Sequence, residues 1–203
     1  STIVAAAGLL RDSAAVIIGA MVIAPLLGPN MALALATTLG DRVLTKKALR
    51  TNGVGVALAL AMSVCMGLVI EFDPETPELL ARTRVGLTDL ALALASGAAG
   101  ALAFTAGVPA TLVGVMVAVA LLPPATAAGI YLGAGAWTRA GDAASLLAVN
   151  VVCVNLSATA TFLVQGVRPD TWWEKARARS ATARALGAWA VLLVLLAALL
   201  ALR

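Results

Sequence analysis

Histidine is missing from this chain and charge is scarce, with Asp, Glu, Lys and Arg making up 12% of its 203 residues. Without histidine there is no imidazole to bind metal or to move protons near neutral pH. The only cysteines, Cys65 and Cys153, each lie inside an apolar stretch, where cysteine reads as a small buried residue and not as a disulfide or reactive thiol. No nucleophile–histidine–acid set, metal-ligand cluster or phosphate-cradling glycine loop is present. The sequence is therefore read as non-enzymatic, with no cofactor and no metal.

The few charges are also segregated. None falls in 13–40, 51–70 or 90–138. Each window reaches or exceeds the roughly 20 residues that cross a hydrocarbon core. With 62% hydrophobic residues and a mean hydropathy of +1.01, the composition excludes a soluble domain. A β-barrel would instead alternate in segments of about ten residues. The expected fold is all-α: a polytopic transmembrane bundle forming one domain over 1–203. A net charge of +4 could suggest nucleic acid, but the basic residues flank apolar spans, so the bilayer is the implied partner.

Six spans are read, at about 13–39, 51–70, 89–106, 109–133, 143–165 and 185–202. Residues 1–10 are too short to span, and read as either the end of a truncated span or an interfacial helix. Segment 40–50 carries Arg42, Lys46, Lys47 and Arg50, and 166–184 carries five more basic residues. The opposite side holds five, and its 71–88 connection is acidic and interrupted by Pro74 and Pro77. The positive-inside rule then places 40–50 and 166–184 in the cytoplasm and 71–88 outside the plasma membrane.

Two spans contain prolines where an unbroken helix should not. The first reads AMVIAPLLGPN, with Pro25, Gly28, Pro29 and Asn30; the second reads ALLPPAT, with Pro123, Pro124 and Thr126. A proline removes an N–H and presses its ring on the carbonyl four residues earlier. Both segments are therefore expected to be broken helices. Each is followed by a Gly-Asp pair, Gly40-Asp41 or Gly141-Asp142, and then by another span. That order supports an inverted repeat of 13–106 on 109–202, the arrangement of many transporters. Chance similarity between alanine-rich spans is the competing explanation.

Polar residues inside lipid must find partners. Asn150 and Asn155 stand in the fifth span, together with Ser157, Thr159 and Thr161. They read either as hydrogen bonds between helices or as the lining of a solute path. No charged residue lies mid-span, which disfavours proton coupling through a buried carboxylate. Small residues recur at close-packing intervals: Gly55, Ser63 and Gly67 in one span, Gly97 and Gly100 in another, Gly129 and Gly133 in a third. They predict a compact bundle or a helix-mediated homo-oligomer. Trp172 and Trp173, followed by Lys175, Arg177 and Arg179, suit an interfacial helix over 169–180.

The segments DSAAVIIGAMVIAPLLGPN, RTRVGLTDLALALASGAAG, ALLPPATAAG and Asn150–Asn155 together resemble the uncharacterised hydrophobic domain family of bacteria and archaea, a domain of unknown function. The resemblance spans nearly the whole chain. It implies an integral membrane domain, often preceded by a soluble region and a further span, and it brings no established substrate. Asn30 departs from the aliphatic residue expected after the second proline of APLLGP.

Two functions follow from these readings. One is a transporter or channel for a small solute or ion, with its site at Pro25, Gly28, Pro29, Asn30, Pro123, Pro124, Thr126, Asn150 and Asn155. The other is a non-transporting oligomeric membrane scaffold or sensor domain.

Overall fold

The computed structural model describes residues 1–24, 27–108, 110–168 and 172–201. They are helical: α1 (Thr2–Leu10), α2 (Ala14–Val22), α3 (Leu27–Leu39), α4 (Arg42–Val69), α5 (Pro77–Leu80), a 3-10 turn (Ala81–Thr83), α6 (Leu87–Thr105), α7 (Ala110–Gly133), α8 (Trp137–Val164) and α9 (Trp172–Ala201). Helices α4, α6 and α8 are long and apolar enough to cross a bilayer. The outer face of α4 exposes Val54, Leu58, Met62 and Leu68, a surface suited to lipid and not to water. The chain is thus a membrane-associated helical bundle.

Helix α1 turns back sharply on α2. Asp12 takes a left-handed conformation (φ 52°), while the Ser13 N–H reaches the Gly8 carbonyl at 2.9 Å. This is a Schellman closure with aspartate where glycine is usual. Ala5, Ala6 and Leu9 are fully buried in one core cluster with Ile17, Tyr131 and Ala140. Residues 1–10 therefore form a helix packed into the bundle.

The first proline segment does break, since α2 ends at Val22 and α3 begins at Leu27. The second does not. Helix α7 runs continuously through Pro123 and Pro124, which corrects the expectation of a second broken helix. Two carbonyls, those of Val119 and Ala120, lose their usual N–H donors to the two prolines. The Asn150 Nδ2 of α8 donates to the Ala120 oxygen at 2.7 Å, replacing the donor that Pro124 lacks. A neighbouring side chain thus repairs the ladder, as membrane helices permit.

Other boundaries move as well. Gly40 (φ 67°) closes α3, and the Asp41 carboxylate accepts from the Val43 and Leu44 N–H groups at 2.8 and 3.0 Å. With that cap, α4 begins at Arg42, so the basic segment 40–50 forms its first turns and not a loop. The second Gly-Asp pair has no such role. Gly135 (φ 74°) makes the α7–α8 turn, and Gly141 and Asp142 lie inside α8. The first half of α9 was expected as a separate interfacial helix, yet from Trp172 the backbone is one helix to Ala201. Its alanine-rich sequence contains no proline to stop it. Residues 169–171 and the side chains of Trp172 and Trp173 lie outside the described set.

The two ends of the bundle differ. At one end, the Thr182 hydroxyl of α9 donates to the Thr37 carbonyl at 3.0 Å, so α9 is level there with the end of α3. That places the starts of α4 and α9 at the same end of the bundle. At the other end, the Glu78 N–H donates to Asp12 Oδ1 at 3.0 Å, and the Tyr131 hydroxyl donates to the Pro74 carbonyl at 3.0 Å. Arg139 donates to the same carbonyl at 2.9 Å and pairs with Glu75. The acidic connection 71–86 is thereby strapped over the α1–α2 and α7–α8 turns.

Candidate functional site

Asn30, in the first turn of α3, is the centre of a buried amide cluster. Its Nδ2 donates to Asn52 Oδ1 of α4 at 3.3 Å, and its Oδ1 accepts from Asn155 Nδ2 of α8 at 3.1 Å. Asn155 also donates to the Val151 carbonyl at 2.9 Å. A carbonyl can only accept, so this bond fixes which end of the amide is nitrogen. The Oδ1 atoms of Asn150 and Asn155 are buried without a hydrogen-bond partner among the described residues. Buried amide oxygens are normally satisfied, so both are poised to accept.

Helix rise gives the depth of the cluster. Asn30 precedes the end of α3 by nine residues, Asn155 precedes the end of α8 by nine, and Asn52 follows the start of α4 by ten. At 1.5 Å per residue, all three lie roughly 13–15 Å from the helix ends at the basic side; on α4 the last charge, Arg50, stands two residues before Asn52, so the cluster lies near the basic edge of the uncharged stretch 51–70.

Asn30 and Asn52 line a cavity of about 310 Å³ between α3, α4, α7, α8 and α9. Leu121 and Ala125, which bracket the proline pair of α7, form part of its wall, together with Val151 and Trp189. The two proline segments therefore serve one cavity, although only the first is broken. No charged side chain among the described residues lines it. Among the described residues no cluster of three His, Cys, Asp or Glu side chains could hold a metal ion.

The sequence-derived site residues divide accordingly. Asn30 lines the cavity, and Asn155 bonds to it. Asn150 faces the Ala120 carbonyl. Pro123 and Pro124 are buried in α7, and Thr126 donates to the Leu122 carbonyl of its own helix at 2.9 Å. Gly28 is exposed and Pro29 half-buried, while Pro25 lies outside the described residues. Asn52 and Trp189 were missed. Asn52 looks like the edge of a loop when the span is started at Thr51; recognising Asp41 as an N-cap would have placed it deep in a helix.

The small residues show where helices approach most closely. A Cβ on Gly67 would lie 2.2 Å from the Ile130 oxygen, and one on Gly133 would lie 2.3 Å from the Val64 oxygen. On Gly129 it would lie 2.4 Å from Ser63 Cβ, and on Gly97 2.3 Å from the Val154 oxygen. These contacts join α4 to α7 and α6 to α8. Gly100 is buried on the same helix as Gly97. Gly55 does not belong to this seam, because nothing lies within 4 Å of its Cβ position.

The profile of the family described as Domain of unknown function (DUF389) matches residues 21–156, a stretch containing all four asparagines and both proline segments. The chain is also 36% identical over 194 residues to the uncharacterized protein MJ0678 of Methanocaldococcus jannaschii. That alignment covers 96% of this chain and 61% of the archaeal protein, so the chain spans about three fifths of its relative's length. No solved structure matches.

Proposed function

The chain belongs to this family of unknown function, and we propose that it is a membrane transporter or channel for a small solute, which binds in the cavity at Asn30 and Asn52. The observation that carries the reading is a cavity within the bundle where amide groups from three helices meet beside both proline segments. A broken helix and a proline-weakened one are elements able to hinge around such a site. The apolar wall, with no charge among its described lining residues, favours a solute held by hydrogen bonds and burial over one held by ion pairing.

Orientation follows the positive-inside rule, with the basic end cytoplasmic and the acidic strap outside the plasma membrane. An inverted repeat is supported by equivalent packing of α4 on α7 and α8 on α3. Against it, α6 packs mainly on α8 whereas α9 packs on α3 and α8. The alternative, an oligomeric scaffold or sensor, draws support from the exposed apolar face of α4, whose Gly55 would let a second helix approach.

The test is uptake into proteoliposomes over a panel of small solutes. Asn30→Leu and Asn52→Leu should each lower flux of the transported solute by about tenfold, the loss of roughly one hydrogen bond at the site. No flux for any solute above empty liposomes, from protein that remains folded, would favour the scaffold.

A further inference from the structure

We propose that the cavity takes a single-chain amphiphile with an anionic headgroup, its tail against the apolar wall and its head at Arg42 and Lys46. The inference rests on reading the cavity as the binding site and names the chemistry of its occupant. The wall first: apart from the Asn30–Asn52 pair, the described lining side chains are apolar, including Leu33, Val56, Leu121 and Val151. A fully hydrophilic solute would lose hydration there without replacement. An acyl chain loses none. The amide pair provides one polar spot, suited to a single hydrogen-bonding group between head and tail.

The rim supplies the charge. Helix α4 contributes Leu49, Gly53 and Val56 to the wall, and positions seven residues apart lie on nearly the same helical face. Arg42 is seven before Leu49, and Lys46 is seven before Gly53. Both are exposed. Arg42 thus stands about 10 Å nearer the basic end than Leu49, at the level of headgroups. Asp41, the one acid in 40–50, is engaged in capping the Val43 and Leu44 N–H groups. The positive end of the α4 dipole adds to the cationic side chains. An apolar slot continuing into a cationic rim complements an amphiphilic anion.

Trp189 lines the cavity and reports on it. The purified protein in neutral detergent is titrated with a dibrominated lysophosphatidylglycerol, following tryptophan quenching, with brominated lysophosphatidylcholine for comparison. Saturable quenching by the anionic probe is expected, lost in Trp189→Phe. The zwitterionic probe should bind roughly tenfold more weakly or worse, given the two cationic groups at the rim. Arg42→Gln with Lys46→Gln should abolish that preference while the depth of quenching at saturation stays the same. Gly53→Leu should remove saturable quenching, because a Cβ there meets nothing within 4 Å and the added side chain enters the cavity without a clash. Equal affinity for both probes, or quenching indifferent to Gly53→Leu, overturns the inference. The transport reading fails separately: saturable, plugged binding with no flux removes transport and leaves the amphiphile site. Flux of a hydrophilic solute blocked by Gly53→Leu, without probe quenching, does the reverse.

Discussion

At the scale of single residues, Asn150 explains how two adjacent prolines sit inside a helix. Its amide supplies the Ala120 carbonyl with the donor that Pro124 removed. Asn150→Leu should therefore lower stability by about 1 kcal/mol, the range for one interhelical hydrogen bond in a membrane protein. Pro124→Ala restores a backbone N–H to the same carbonyl. In that background Asn150→Leu should cost far less, a coupling readable from thermal midpoints in detergent. An equal loss in both backgrounds would mean that the asparagine acts elsewhere. The sequence made part of this legible. An amide in an apolar span needs a partner, so Asn150 and Asn155 stood out without any structure. Their partners did not, because helix register decides whether an amide meets a proline-freed carbonyl or another asparagine. Asn52 was hidden for another reason, since a span started at Thr51 leaves it at a loop edge when the Asp41 cap in fact starts the helix ten residues before it.

At the scale of helices, local chemistry decided which expectations held. Helix α2 ends at Val22 ahead of the first proline segment, whereas α7 runs through Pro123-Pro124, where α8 lies beside it with a donor in place. Likewise the two Gly-Asp pairs look equivalent in sequence, yet only Asp41 follows a left-handed glycine and caps a helix. Spacing of small residues located the α4–α7 seam but could not say where it ends. Gly133→Ala would drive a methyl group to 2.3 Å from a backbone oxygen, which no rotamer change can relieve. It should destabilise the protein by about 1–3 kcal/mol. Gly55→Ala, with open space around its Cβ, should be neutral or stabilise by up to about 1 kcal/mol through helix propensity. Chemical or thermal unfolding in detergent separates the two, and equal effects would place Gly55 on a packed interface such as a second copy.

At the scale of the whole molecule, the bundle is electrically polar. Arg42, Lys46, Lys47 and Arg50 gather at the end where Thr182 meets α3, while Glu71, Asp73, Glu75 and Glu78 belong to the strap at the other end. Nine basic residues lie in 40–50 and 166–184 against five elsewhere, and the proposed cytoplasmic placement of the basic end rests on that imbalance. The cytoplasmic leaflet is also the anionic one, so each cation near its surface gains about 1 kcal/mol there. Insertion bias and lipid attraction thus act in the same direction. Single cysteines test the result, in a background where Cys65 is replaced by serine and Cys153 stays buried. Lys47 and Glu71 are both exposed, on opposite ends. A membrane-impermeant maleimide should label Glu71→Cys in intact spheroplasts and Lys47→Cys only in inside-out vesicles. The reverse pattern would invert the orientation. Labelling of both from one side would mean that the basic and acidic ends do not face opposite compartments, and a cavity rimmed by Arg42 could not then draw its occupant from the inner leaflet.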